Sequence, residues 1–81
     1  VGDEAEIATT LNNMGILLEI LGKFERSEKC YKRCLSIIKQ LYGSTSSQVG
    51  STLNNLGSVL LSLNRYQESK ECFDRSLQIS G

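Results

Sequence analysis

The sequence has no histidine, no proline and no tryptophan among its 81 residues. Without histidine, the chain lacks the commonest general base and the commonest metal ligand. Without proline, no predicted helix is interrupted by a missing backbone donor. The nine basic and nine acidic residues sum to zero net charge. Because nucleic acid and anionic membranes are bound through a basic patch, we expect neither as a partner.

Long hydrophobic runs and a disulfide framework are absent as well. No apolar run approaches the ~20 residues of a membrane span, and no signal-peptide pattern occurs. The three cysteines, Cys30, Cys34 and Cys72, are typical of reduced thiols. A structural zinc site needs four ligands, so core packing is the favoured interpretation, with redox sensing and metal binding as alternatives. We expect one small cytoplasmic domain without a cofactor.

The sequence repeats itself with an offset of 42 residues. The segment Thr10–Gly15 reads TLNNMG, and the segment Thr52–Gly57 reads TLNNLG. When residues 3–39 are aligned with residues 45–81, 12 of 37 positions are identical. We therefore predict two structural repeats, residues 1–43 and residues 44–81.

Each repeat is predicted to hold two helices, because apolar residues recur at steps of three and four. In the first helix the recurring residues are Ile7, Leu11, Met14, Leu18 and Leu21. Capping boxes are expected at Asp3 with Glu6 and at Thr45 with Gln48. Gly22 and Asn64 suit the left-handed residue that ends a helix. The predicted helices span about 4–21, 24–41, 46–63 and 66–80.

A longer motif recurs in each repeat. The first copy reads Leu11-x-x-Met14-Gly15-x-x-Leu18, then Phe24, then Ser27-x-x-x-Tyr31. This motif resembles the tetratricopeptide repeat, whose family pattern is W-x-x-L-G-x-x-Y followed by A-x-x-x-F. The 42-residue period is similar to that of kinesin light chains, although leucine replaces the family's Trp and Tyr, and its closing proline is absent. The resemblance implies an all-α fold of two helix-turn-helix units within a right-handed superhelical solenoid.

Glycine recurs in the middle of the first helix of each repeat, at Gly15 and Gly57. Glycine costs about 1 kcal/mol there relative to alanine. Because this cost occurs at the same position in both repeats, we expect a compensating stabilisation there, which we interpret as close approach of the second helix. The small residues predicted to meet these glycines are Ser27, Cys34, Ser69 and Ser76.

The first helix of each pair lines the concave groove in the family, so the resemblance implies a peptide-binding surface there. Residues 46–63 carry no charge, whereas all nine basic residues belong to the second helices or their first turns. The candidate peptide-binding residues are Asn12, Asn13, Ile16, Asn54, Asn55, Ser58 and Leu61. Asn13 and Asn55 match best the asparagine with which family members hold a peptide main chain. The alternative is that the asparagines bridge neighbouring helices.

Two classes of function follow from this reading. The first is a protein-interaction module, part of a longer array, that binds a peptide or helix of a partner protein. The second is a structural element whose copies stack or exchange helices, because Phe73 and Leu77 are expected to remain partly uncovered. An enzyme is not expected, since no base accompanies a nucleophile.

Overall fold

The computed structural model describes residues 3–80, which form four α-helices and, within that range, no strand. The helices are α1 (Glu4–Ile20), α2 (Phe24–Tyr42), α3 (Ser47–Ser62) and α4 (Tyr66–Ser80). The predicted spans differ from these bounds by at most one residue at any end. The helices form two antiparallel pairs, α1 with α2 and α3 with α4, and α2 lies against α3. The all-α prediction of two helix-turn-helix units is confirmed.

The turns between paired helices are set by residues with positive φ. Gly22 has φ +78° between α1 and α2, and Asn64 has φ 62° at the matching position between α3 and α4. Asparagine is one of the few non-glycine residues that adopts this conformation readily. The sequence therefore specifies both tight turns locally.

One predicted helix cap is correct in position and the other is shifted by one residue. The backbone N–H of Glu6 donates to Oδ1 of Asp3 at 3.3 Å, as expected for α1. The predicted cap at Thr45 for α3 is wrong, because the cap is Ser46, whose Oγ accepts from the N–H of Val49 at 3.3 Å. Ser46 has the extended backbone that a cap requires, with φ −70° and ψ 156°.

Within each pair the helices approach closely at the mid-helix glycine. A Cβ added to Gly15 would lie 2.5 Å from Cε1 of Tyr31, and one added to Gly57 would lie 2.9 Å from Cε1 of Phe73. The structure thus shows the close approach that the repeated glycines predicted.

Hydrogen bonds at matching positions join the paired helices. Ser27 Oγ donates to the carbonyl of Gly15 at 2.6 Å, and Ser69 Oγ donates to the carbonyl of Gly57 at 2.8 Å. Two helical turns further along α4, Ser76 Oγ donates to the carbonyl of Gly50 at 2.9 Å. The small residues on α2 and α4 therefore permit contact and also supply buried donors.

Helix α2 forms the centre of the core. Tyr31 packs with Leu56, Val59 and Leu60, whereas Cys34 and Ile38 pack with a second cluster that includes Ala8, Leu11, Val49 and Leu53. An ion pair closes the outer edge, where Nη1 of Arg65 lies 2.7 Å from Oε1 of Glu28. The second pair is thereby stacked on the first through α2.

The apolar stripe of α1 faces a direction that its periodicity did not predict. Only Leu11 of the five recurring residues is buried, and Ile7, Met14 and Leu21 are exposed. The physical reason is that α1 meets α2 through its small residues, Ala8 and Gly15, and that no helix within residues 3–80 covers Ile7 and Met14. Their counterparts on α3, Val49 and Leu56, are buried because α2 packs against them.

Candidate functional site

Helices α1 and α3 are in contact, and we name the side of the molecule that they share the inner surface. All seven predicted peptide-binding residues belong to these two helices. Five of them are exposed and two are half-buried, namely Asn12 and Asn55. Ile20 is the most exposed large apolar side chain of α1.

The four asparagines divide into a bonded pair and an exposed pair. Nδ2 of Asn55 donates to Oδ1 of Asn12 at 2.9 Å, which joins α3 to α1. Asn13 and Asn54 are exposed, and within residues 3–80 their side chains form no hydrogen bond. The helix-bridging alternative therefore applies to Asn12 and Asn55, and the amides left accessible are those of Asn13 and Asn54.

Glu19 was expected from the sequence on the groove side of α1, but not among the candidate peptide-binding residues and with no specific contact. Its Oε1 accepts from the hydroxyl of Tyr31 at 3.1 Å, and its Oε2 accepts from Ser58 Oγ at 2.8 Å. Burial raises the pKa of Tyr31 to about 12, and the neighbouring Glu19 charge adds to the shift. The tyrosine consequently remains a neutral donor, and one carboxylate connects α1, α2 and α3. The repeat gave no signal for it, because leucine stands at the matching position 61.

A shallow cleft of about 220 Å³ lies between α1 and α3. Its sides include Thr9, Asn12, Ser51 and Asn55, and Cys34 and Ile38 lie at its base. Pockets that enclose a small molecule or cofactor are usually larger, about 300–1,000 Å³. An open cleft bordered by hydroxyl and amide groups is better suited to the main chain of a peptide lying across the helices.

The cysteines behave as packing residues. Cys34 is buried, and its Sγ donates to the carbonyl of Ala8 at 3.3 Å. Burial raises the pKa of the thiols of Cys34 and Cys72, which lowers the fraction of reactive thiolate. All three cysteines are free, and residues 3–80 hold no cluster of three or more metal-binding side chains.

None of the helices formed by residues 3–80 combines the length and hydrophobicity needed to cross a membrane.

Two helix-turn-helix units, related by a 42-residue offset and stacked so that their first helices share one surface, define a helical repeat protein. The chain belongs to the tetratricopeptide repeat family, whose sequence model matches residues 6–80. Members of this family are generally protein-interaction modules, and the family is a scaffold without enzymatic activity. A comparison with curated proteins found no match to this chain. The resemblance to the kinesin light chain subgroup stays a prediction.

Proposed function

We propose that the chain binds an extended peptide of a partner protein across the inner surfaces of α1 and α3. The observation that carries this proposal is the chemical character of that surface. Helix α3 has no charged residue, and Ile16, Ile20 and Leu61 are exposed on the two helices. Glu19 of α1 adds one carboxylate, whose two oxygens accept hydrogen bonds from Tyr31 and Ser58. A surface with little charge and with exposed apolar side chains is typical of an interaction site.

The ligand would be held through its main chain by the exposed amides of Asn13 and Asn54. Neighbouring packed helices lie ~8–10 Å apart, and an extended peptide rises ~3.3 Å per residue. Asn13 and Asn54 lie on opposite sides of the bonded Asn12–Asn55 pair, so their amides could bond main-chain groups more than three residues apart on one peptide. The exposed apolar residues would receive the peptide side chains in between. Because the surface has no basic residue, the affinity should depend only weakly on salt.

The test is a peptide selected from a display library and titrated against labelled chain at nanomolar concentration, a dilution chosen to disfavour association of the chain with itself. Replacing Asn13 and Asn54 by alanine should weaken binding by about 1–3 kcal/mol, roughly 5- to 150-fold, because two hydrogen bonds are lost. Helicity should be retained, because alanine is the better helix former. Unchanged affinity would refute the proposed contact.

The matched control is the bonded pair, Asn12 and Asn55. Replacing both by alanine removes the 2.9 Å bond between α1 and α3. This variant should lower the free energy of unfolding by about 0.5–1.5 kcal/mol. Its effect on peptide affinity should be smaller than that of the exposed pair.

Self-assembly is the second candidate function. It is favoured by the exposure of Ile7, Met14 and Leu17 on α1 and of Leu77 on α4, because monomeric proteins rarely leave a contiguous set of large apolar side chains uncovered.

We also propose that the chain works in a reducing compartment such as the cytoplasm, since its three cysteines are free thiols.

A further inference from the structure

The 42-residue offset allows the exposure of each residue of α1 to be compared with that of the matching residue of α3. Leu56 and Val59 of α3 are 4% and 0% exposed, because α2 covers them. The matching residues of α1, Met14 and Leu17, are 47% and 56% exposed. The first pair therefore presents, uncovered, the same apolar face that receives a helix in the second pair. We name this the head face; it comprises Ile7, Met14, Leu17 and Leu18 of α1 with Arg26, Lys29 and Cys30 of α2.

The cleft in the head face has a counterpart inside the molecule. It measures about 450 Å³ and is lined by Met14, Leu18, Arg26, Lys29 and Cys30. The five matching residues of the second pair also line one cleft, and Lys32 of α2 enters it; they are Leu56, Leu60, Glu68, Glu71 and Cys72. The occupant of the inner cleft is thus known, and it is the second helix of a repeat.

The opposite side of the molecule presents such a helix. Phe73 of α4 matches Tyr31 of α2, and Leu77 matches Leu35, which packs against both core clusters. Leu77 is 68% exposed. We name this the tail face; it comprises Phe73, Asp74 and Leu77 of α4 with Asn54 and Leu61 of α3.

Charged residues on the head face and on the tail face have the opposite sign to the matching residues where α2 meets α3 and α4. In the inner cleft, Lys32 lies beside Glu68 and Glu71. The head face carries bases at the two matching positions, Arg26 and Lys29, and the tail face carries an acid, Asp74, where α2 has Lys32. Asp74 pairs with Lys70 on α4 at 2.8 Å, as Lys32 pairs with Glu28 on α2 at 2.9 Å. At this one position, Lys32 of α2 would meet the bases of the head face with a like charge, whereas Asp74 of α4 would meet them with an opposite charge. One position opposes this fit, since the Glu28–Arg65 pair becomes Lys70 with Lys23.

The inner helices match across the two faces as well. The bonded pair Asn12 and Asn55 corresponds to Asn54 of the tail face with Asn13 beside the head face. The bonded pair Glu19 and Ser58 corresponds to Leu61 with Ile16. Both of these apolar residues are exposed, so a polar contact inside the molecule becomes an apolar contact between copies.

We propose that copies of this chain stack head to tail. Helix α4 of one copy would lie in the cleft between α1 and α2 of the next copy, in the way that α2 lies against α3 and α4 within one copy. The inference rests on the self-assembly candidate, and its tests can be carried out without a peptide ligand. Such a contact is heterologous, because different surfaces meet, and it can therefore add copies without closing. The wild-type mass in sedimentation should rise with concentration past that of a dimer.

The polarity of the contact is tested with two blocked variants. Met14→Asp places a charge in the head face, and Leu77→Asp places one in the tail face. Each alone should remain a monomer, whereas an equimolar mixture should form a 1:1 dimer through the two intact faces and nothing larger. Circular dichroism verifies that each variant is folded, and Leu17→Asp replaces Met14→Asp if that variant unfolds.

Three results would overturn the proposal. One is a wild-type chain that stays monomeric at high micromolar concentration. Another is a dimer of either blocked variant alone, which would indicate a symmetric contact or helix exchange and would leave self-assembly standing without this register. The third is a monomeric chain whose cleft binds a peptide of residues 24–42 but not one of residues 66–80.

A charge exchange tests the register itself. Asp74→Lys should weaken association about tenfold, and so should Arg26→Asp combined with Lys29→Asp, because each places like charges together. The chain with all three substitutions should regain most of the affinity. An affinity no better than that of the separate variants would refute the pairing of Asp74 with Arg26 and Lys29.

Discussion

Gly15 offers the sharpest test of how the paired helices pack. In Gly15→Ala, the new Cβ would lie 2.5 Å from Cε1, 2.8 Å from Cδ1 and 2.9 Å from Cζ of Tyr31. These separations are shorter than carbon atoms tolerate, so the ring must move. The ring is 1% exposed, and its hydroxyl donates to Glu19, so displacement disturbs both the core and the inner surface.

The magnitude follows from two opposing effects. Alanine is worth about 1 kcal/mol over glycine in a helix interior, and overpacking a closed core costs about 1–3 kcal/mol. Because the Tyr31 ring is enclosed, we expect the upper part of that range and a net loss of about 1–2 kcal/mol. For a domain of this size each kcal/mol lowers Tm by roughly 4–8 °C. Urea denaturation followed by circular dichroism measures the change.

The second repeat supplies the matched control. In Gly57→Ala the Cβ would lie 2.9 to 3.1 Å from the Phe73 ring, which is only half-buried and has no hydroxyl to anchor it. The ring can shift outward, so the free energy of unfolding should change by less than about 0.5 kcal/mol, as overpacking and helix propensity offset each other.

Replacing the ring identifies the cause. In a Tyr31→Leu background, Gly15→Ala should change sign and stabilise by up to about 1 kcal/mol, since only helix propensity remains. An equal destabilisation in both backgrounds would show that the Tyr31 ring is not the obstacle, and the packing argument would be wrong.

Two further predictions concern polar contacts. Ser27→Ala should lower the free energy of unfolding by about 1 kcal/mol, because the buried donor to Gly15 is lost; exposed Ser36→Ala is the control, and equal effects would contradict this. Burial raises the pKa of Glu28, but hydrogen bonds from Lys32 and Arg65 lower it by more, so the pKa lies below its ordinary value of 4.5. The stability advantage over Glu28→Gln should therefore be full above about pH 4.5 and lost as pH falls below it; an advantage independent of pH would refute the ion-pair explanation.

The turns and the helix bounds could be predicted because their signals are local. Gly22 and Asn64 each specify a left-handed residue without reference to the rest of the chain. Gly15 and Gly57 could be interpreted because the same mid-helix cost occurs twice. A single mid-helix glycine would have been ambiguous, but its occurrence in both repeats indicated close packing of the paired helices.

The contacts between repeats were less predictable, because an offset compares equivalent residues and does not show which non-equivalent residues meet. Asn55 bonds to Asn12, not to its own counterpart Asn13. The direction of the α1 stripe could not be predicted for a similar reason. Periodicity shows that Leu11 and Met14 share a side of the helix, but the position of the neighbouring helix determines which of them is covered. The cap at Ser46 was missed because Thr45 stands at the position that matches Asp3.

The two proposals are physically connected through the asparagines. Inside the chain, Asn12 and Asn55 join the inner helices of the two repeats. Head-to-tail stacking would place Asn54 of one copy beside Asn13 of the next, so the inner surfaces would continue from copy to copy. A peptide long enough to cross that boundary would then contact both copies, and by thermodynamic linkage it would strengthen stacking by the factor by which stacking strengthens its binding. A short peptide that competes for Asn13 or Asn54 would instead oppose stacking, because the same amides cannot serve both contacts fully.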